Sequence, residues 1–258
     1  MTGERQVSGA DVRVEQHGKH VAVVCLQRPP NNYFDSVLID AVATAYEELD
    51  ASGWCRAIVL AADGKHFCAG LDFSANGGQD IAELYDQALR LFAAPLPVVA
   101  AVQGAAIGGG CGLALSADFR VATPSTRFSA NFARLGFHHG FALTVTLPAA
   151  VGAQAAADLL LTGRRVTGEE ALSLHLCDRL VEPDDLMTEA LGYAGELAAS
   201  GPLAVRAIRS TLRRGLVDAA RRAMADERAE QERLGRTADF AEGIRAAAER
   251  REPRFEGA

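Results

Sequence analysis

The stretch AVQGAAIGGGCGLALSAD (Ala101–Asp118) decides how this chain is read. It leaves an apolar run, PVVAAV (Pro97–Val102), whose shortness and valine content predict a fully buried strand. The glycine-rich turn that follows can open a helix directly, over Gly108–Ala117. The first N–H groups of such a helix have no partner inside it and point outward. Small residues there let a substrate carbonyl approach the backbone. A second turn of the same kind, GKHFCAGLDF (Gly64–Phe73), follows the apolar strand RAIVLAA (Arg56–Ala62). Two N–H donors aimed from these turns at one point would make an oxyanion hole, the device that stabilises an enolate or a tetrahedral intermediate. Close packing of a helix on a strand also explains Gly108–Gly110, and the spacing fits both readings.

Working outward, alternation in DVRVEQ (Asp11–Gln16) and KHVAVVCLQ (Lys19–Gln27) predicts a hairpin. After the stop at Arg28-Pro29-Pro30-Asn31-Asn32, Asp35 can cap a helix whose apolar face is Leu38, Ala41, Val42, Ala45 and Leu49. A helix around Asp80–Phe92, a strand at Asp118–Thr123, a capping box at Thr167-Gly168-Glu169-Glu170 and a last strand at Leu180–Val181 complete an α/β pattern. From about Asp184 the pattern is helical only, with Val205, Ile208 and Leu212 on one face. The expected division is a mixed core over 1–195 and a helical region over 196–258.

Composition bounds the function. The 258 residues carry 26 Lys+Arg against 33 Asp+Glu, a net charge of −7, with 49% hydrophobic but only 6% aromatic residues. This describes a globular chain with a core of small aliphatic side chains, and its acidic balance argues against general nucleic-acid binding. The charge is uneven: residues 201–258 hold 13 arginines against 10 acidic residues, net +3, a segment suited to a local anion such as a phosphate. The five cysteines are odd in number and widely spread, without metal-ligand spacing, so reduced thiols in a cytoplasmic protein are expected and no metal site. The most apolar stretch, Leu91–Ala117, is broken by prolines and glycines and reads as strand, turn and helix rather than a membrane span. Phosphate-loop, GxSxG, HExxH and GxGxxG patterns are all missing.

Gly64–Phe73, Ala101–Asp118, LTGRRVTGEEALSLHLCDRLV (Leu161–Val181) and DFAEGIRAAAERREPRF (Asp239–Phe255) together resemble, in order along the chain, the crotonase or enoyl-CoA hydratase/isomerase superfamily. The resemblance implies a spiral of ββα units with a C-terminal helical region, a homotrimer or dimer of trimers, and an acyl-CoA substrate with no separate cofactor. It puts the oxyanion-hole N–H groups on Leu71 and Gly109. Contacts to CoA or the acyl group are implied for Arg28, Pro30, Ala69, Asp72, Phe73, Gly108, Phe132 and Arg251.

The departures from the family pattern matter equally. The two hydratase glutamates match Gly112 and Phe132, and the isomerase glutamate matches Gly140. Hydration needs carboxylates to orient water and move a proton, so simple hydration is not expected. Relatives with other chemistry, among them a naphthoyl-CoA synthase and a methylmalonyl-CoA decarboxylase, carry Asp or Tyr at the position of His139. His139 is therefore the expected acid/base group, with His138 beside it, for a decarboxylase, C–C lyase or thioester hydrolase. Loop histidines bonded to backbone are the alternative, as is a non-catalytic acyl-CoA binder. Asp72 is expected to brace its turn, Cys68 and Cys111 to pack, His66 to sit in an exposed turn near the CoA entrance, and Trp54 to lie in the core or an interface. Arg250, Arg251 and Arg254 fall where relatives meet CoA phosphate.

Overall fold

The computed structural model describes residues 11–72 and 80–258, together with the backbone of Val7–Ser8. Phe73, expected to contact CoA, lies outside the described residues. β1 (Val7–Ser8), β2 (Val12–His17) and β3 (Val21–Leu26) are antiparallel neighbours, the last two forming the expected hairpin. α1 (Ser36–Ala51), β4 (Ala57–Ala62), α2 (Ile81–Ala93) and β5 (Val98–Val102) follow. Next come β6 (Ala105–Ile107), α3 (Gly109–Ser116), β7 (Phe119–Ala122), β8 (Arg127–Ser129) and a 3-10 helix over Asn131–Leu135. α4 (Leu143–Val151), α5 (Ala153–Thr162), β9 (Arg165–Thr167), α6 (Gly168–Ser173) and β10 (Arg179–Leu180) lead out of the mixed region. α7 (Leu186–Ala199), α8 (Pro202–Leu212), α9 (Leu216–Leu234) and α10 (Ala238–Glu249) end the chain.

The main sheet runs β1-β2-β3-β4-β5-β7-β10 and is parallel from β3 onward. Its central strands bury both faces, which is why they read as unbroken apolar runs. Ala22, Val24, Ile58, Leu60, Val98 and Ala100 point to one core, which also takes in α1 and α2. Val23, Cys25, Val59, Ala61, Val99 and Ala101 point to the other, covered by α7 through Leu186, Ala190, Ala194 and Ala198. Its three alanines, spaced four residues apart, let α7 lie close on the sheet. Residue 195, where the mixed core was expected to end, is therefore inside a helix that packs on the sheet, and the chain leaves the sheet at Ser200–Gly201.

The caps expected at Asp35 and Thr167 form, and Asp80 caps α2 as well. Asp35 Oδ1 accepts from Leu38 N–H at 2.8 Å, Asp80 Oδ1 from Ala82 N–H at 2.9 Å, and Thr167 Oγ1 from Glu170 N–H at 3.3 Å. The capping box closes only on that side, because the Glu170 carboxylate pairs with Arg164 at 2.7 Å. On α8, Ile208 and Leu212 of the expected apolar face are exposed, as is Leu203, while Arg209 and Arg213 turn inward. The reason is charge. Asp118, at the start of β7, draws Arg209 Nε to 2.9 Å and Arg213 Nη1 to 2.8 Å in a half-closed setting where its carboxylate needs counter-charge.

A small sheet, β6-β8-β9, stands beside the main one, and a bridge from Cys68 to Ala106 joins the first glycine turn to it. That bridge brings the two glycine turns together. Among the described residues no helix is long and apolar enough to cross a membrane.

Candidate active site

The turn after β4 is built by exchange with the Asn31–Phe34 segment. Ala69 N–H donates to Asn31 O at 2.9 Å and Phe34 N–H to Gly70 O at 3.0 Å. Gly70 has φ +89°, and a Cβ there would sit 2.7 Å from Ile107 O and 3.8 Å from Gly109 N, so glycine is required where the turns meet. Gly108, with φ +57°, anchors its own N–H on Ser129 O at 2.7 Å and passes the chain into α3. Neither the Leu71 nor the Gly109 N–H has a hydrogen-bond partner among the described residues.

Both residues line one cavity of about 350 Å³. Its walls are mostly apolar: Phe34, Ile81, Leu84, Phe132, Leu135 and Phe141. α10 adds Ile244, Ala247 and Ala248, held over the site by a Phe137–Phe240 stack at 4.5 Å and by Gly243, where a Cβ would meet the Leu135 backbone. Ala69, Asp72 and Gly108 also line it, and among the described residues Asp72 is its one carboxylate.

The positions where a carboxylate was expected and is missing are occupied by other groups. A Cβ on Gly112 would come within 2.6 Å of Phe141 Cβ. A Cβ on Gly140 would collide with the Tyr85 hydroxyl and lie 2.6 Å from Gln231 Nε2. Phe132 fills its own position as an apolar wall.

The histidines go elsewhere. Neither His138 nor His139, expected as the acid/base pair, is among the residues that line the cavity. His139 Nε2 lies 2.8 Å from Thr144 Oγ1, whose proton goes to the buried Glu227 Oε1 at 2.6 Å; this assigns the Nε2 proton to a bond with the threonine. Burial and the neighbouring His138 lower the His139 pKa to about 4, so the ring is neutral at pH 7. His138 stacks on His139 with ring centroids 4.2 Å apart and donates Nδ1–H to His139 O at 2.8 Å. Both act as braces of the turn behind the cavity.

Outside the cavity, Arg28 is held by Asp11 at 2.7 Å and by Asp35 at 2.8 Å, and Pro30 O accepts from His66 N–H at 3.1 Å. The His66 Nδ1 accepts from Ala105 N–H at 3.1 Å. Arg251 donates to Glu242 and Glu249, both bonds short, around a second hollow that Arg254 also lines. Cys68 and Cys111 are fully buried with thiols pushed up to about 12, as packing groups. All five cysteines are free. Trp54 is half-buried, packed at the edge of the main core. Among the described residues no group of three or more His, Cys, Asp or Glu is placed to hold a metal.

Sequence reasoning missed Tyr85, Gln231 and Glu227. Tyr85 donates to Gln231 Oε1 at 2.9 Å, and Gln231 Nε2 donates to His138 O at 3.0 Å. The available signal was the stripe Ile81, Leu84, Tyr85 and Ala88 on α2, in which a phenol interrupts an apolar face and needs a partner.

A mixed α/β core whose two glycine turns meet at one largely apolar cavity, lined by Leu71 and Gly109, has the crotonase fold. The chain belongs to the enoyl-CoA hydratase/isomerase family, whose profile matches residues 16–258. An enoyl-CoA isomerase/hydratase of Zymoseptoria tritici is 32% identical over 265 residues, covering 93% of this chain and 85% of that protein. The crystal structure of an enoyl-CoA hydratase/isomerase from Pseudoalteromonas atlantica has a TM-score of 0.84 at 30% identity, covering 95% of this chain and all of the other. That of an enoyl-CoA hydratase from Bacillus anthracis has a TM-score of 0.76 at 28% identity, covering 96% of this chain and all of the other.

Proposed function

We propose that this protein is an acyl-CoA enzyme that holds the thioester carbonyl between the N–H groups of Leu71 and Gly109 and stabilises an enolate or related oxyanion there. Two amides on one apolar cavity, without a partner among the described residues, carry the reading. The acyl group enters between Phe34, Phe132 and Phe141, while Ala69, Asp72 and Gly108 shape the turn around the thioester. Arg28, Pro30 and Arg251 lie outside the cavity and would serve the CoA portion, Arg251 by trading a carboxylate partner for a phosphate. Its free, buried thiols suit a cytoplasmic protein. The exposed apolar face of α8 suits a trimer or dimer of trimers.

Simple enoyl-CoA hydration is disfavoured, since two apolar or glycine positions replace the carboxylates and Phe141 fills the space beside one of them. Each missing acid/base group is worth about 10²–10⁴ in rate. Decarboxylation, C–C cleavage or thioester hydrolysis through His139 Nε2 would require that nitrogen to leave its bond with Thr144. The test is crotonyl-CoA hydration measured beside acyl-CoA binding. Binding with hydration below about 1% of that of a carboxylate-bearing hydratase supports the proposal. Absence of acyl-CoA binding, or hydration at a rate typical of such a hydratase, overturns it.

A further inference from the structure

The segment Asn31–Phe34 reaches both halves of the oxyanion hole. In a trans peptide the C=O and the N–H that share a plane point in opposite directions. Phe34 N–H holds Gly70 O at 3.0 Å, so the Leu71 N–H of that same peptide is turned away from the segment. The Phe34 ring meets the other half, because a Cβ on Gly109 would collide with its Cζ.

Asn32 fixes where this segment lies. It is fully buried and sits in the left-handed region at φ 48°, a conformation that asparagine adopts more readily than most residues. Its amide spends both hydrogens across the fold, on Asp63 O at 2.8 Å and on His66 O at 2.7 Å. Its Oδ1 accepts from Arg28 N–H at 2.9 Å. These bonds join the segment to the turn that carries Gly70, and the backbone bonds from His66 N–H to Pro30 O and from Ala69 N–H to Asn31 O run alongside them. An aspartate would keep the acceptor but turn it on two carbonyls. A hydrocarbon would leave both carbonyls and the Arg28 amide unmet in a buried setting.

We propose that Asn32 is a positioning residue for the oxyanion hole, holding the Asn31–Phe34 segment so that Phe34 aims the Leu71 amide and spaces it from that of Gly109. Asn32 does not line the cavity, so it acts through Phe34 and Gly70. This rests on the acyl-CoA reading above.

Infrared difference spectra of saturating butyryl-CoA, isotope-labelled at the thioester carbonyl, test it on the full chain. Two amides polarise a carbonyl and lower its stretching frequency, so binding to the wild type shifts the band downward. Asn32→Gly keeps the left-handed backbone without the side chain and loses about half of that shift or more. A control destabilised elsewhere, Asp118→Ala, keeps the whole shift. Asn32→Asp, which loses both donors, is read in the same way if Asn32→Gly does not fold. A full shift in a folded Asn32 variant, an equal loss in the control, or failure of both Asn32 variants to fold overturns the positioning role and leaves the acyl-CoA reading intact. If butyryl-CoA does not bind the wild type, or binds without a shift, that reading fails and the role of Asn32 with it.

Discussion

Glu227 Oε1 lies 2.6 Å from Thr144 Oγ1, and this bond ties α9 to the turn behind the cavity. The same carboxylate accepts from Ala142 N–H at 2.9 Å and from Thr144 N–H at 3.0 Å, the unpaired amides that open α4. It thereby holds Phe141 and Ala142 in the left-handed region, at φ 61° and 58°, where neither residue sits without support.

Glu227→Ala leaves three donors unmet in a buried setting and is expected to cost about 2–4 kcal/mol, read from the urea midpoint. Glu227→Gln keeps one acceptor and costs less. Equal losses for the two variants would contradict this role.

His139 predicts a pH dependence. Its folded pKa, about 4, lies below the ordinary histidine value, so the unfolded chain takes up a proton first as pH falls. Stability from this group is full above about pH 6.5 and is lost as pH drops toward 4. Glu227, 3.9 Å away, is shifted upward by burial and opposes stability as pH rises. His139→Gln therefore flattens the acid limb of a melting-temperature profile between pH 6.5 and 4. An unchanged limb would count against it.

Much of the fold is legible before the structure is seen. Strands buried on both faces announce themselves as apolar runs, and Asp35 and Thr167 stand where caps must. The small sheet is silent because strands of three residues, such as Ala105–Ile107, carry no period to detect. The site is half legible: the glycine turns show where amides are exposed, but Tyr85 and Gln231 meet across 146 residues and no local pattern joins them. His138 and His139 mislead for a related reason. A polar pair beside a site motif says nothing about which way its rings point, and here Thr144 decides.

Restoring a glutamate at a position where hydratases carry one is expected to fail. In Gly112→Glu the new side chain runs into Phe141, and overpacking costs about 1–3 kcal/mol of stability without raising crotonyl-CoA hydration. A gain in hydration with unchanged stability would show that the space is open.

Asp118 fastens the helical region to the sheet. Asp118→Ala strands Arg209 and Arg213 without their shared carboxylate and also frees Val98 N–H, for a loss of about 3–5 kcal/mol. Limited proteolysis then cuts first near Ser200–Gly201, where α7 ends. Cutting that begins elsewhere would contradict this attachment.

The central claim is that Leu71 and Gly109 grip the thioester oxygen. A crystal structure with a non-hydrolysable acyl-CoA analogue measures this directly: the carbonyl oxygen is predicted to lie about 2.7–3.2 Å from both nitrogens. An acyl group seated in the cavity with its carbonyl turned away from either amide would contradict it.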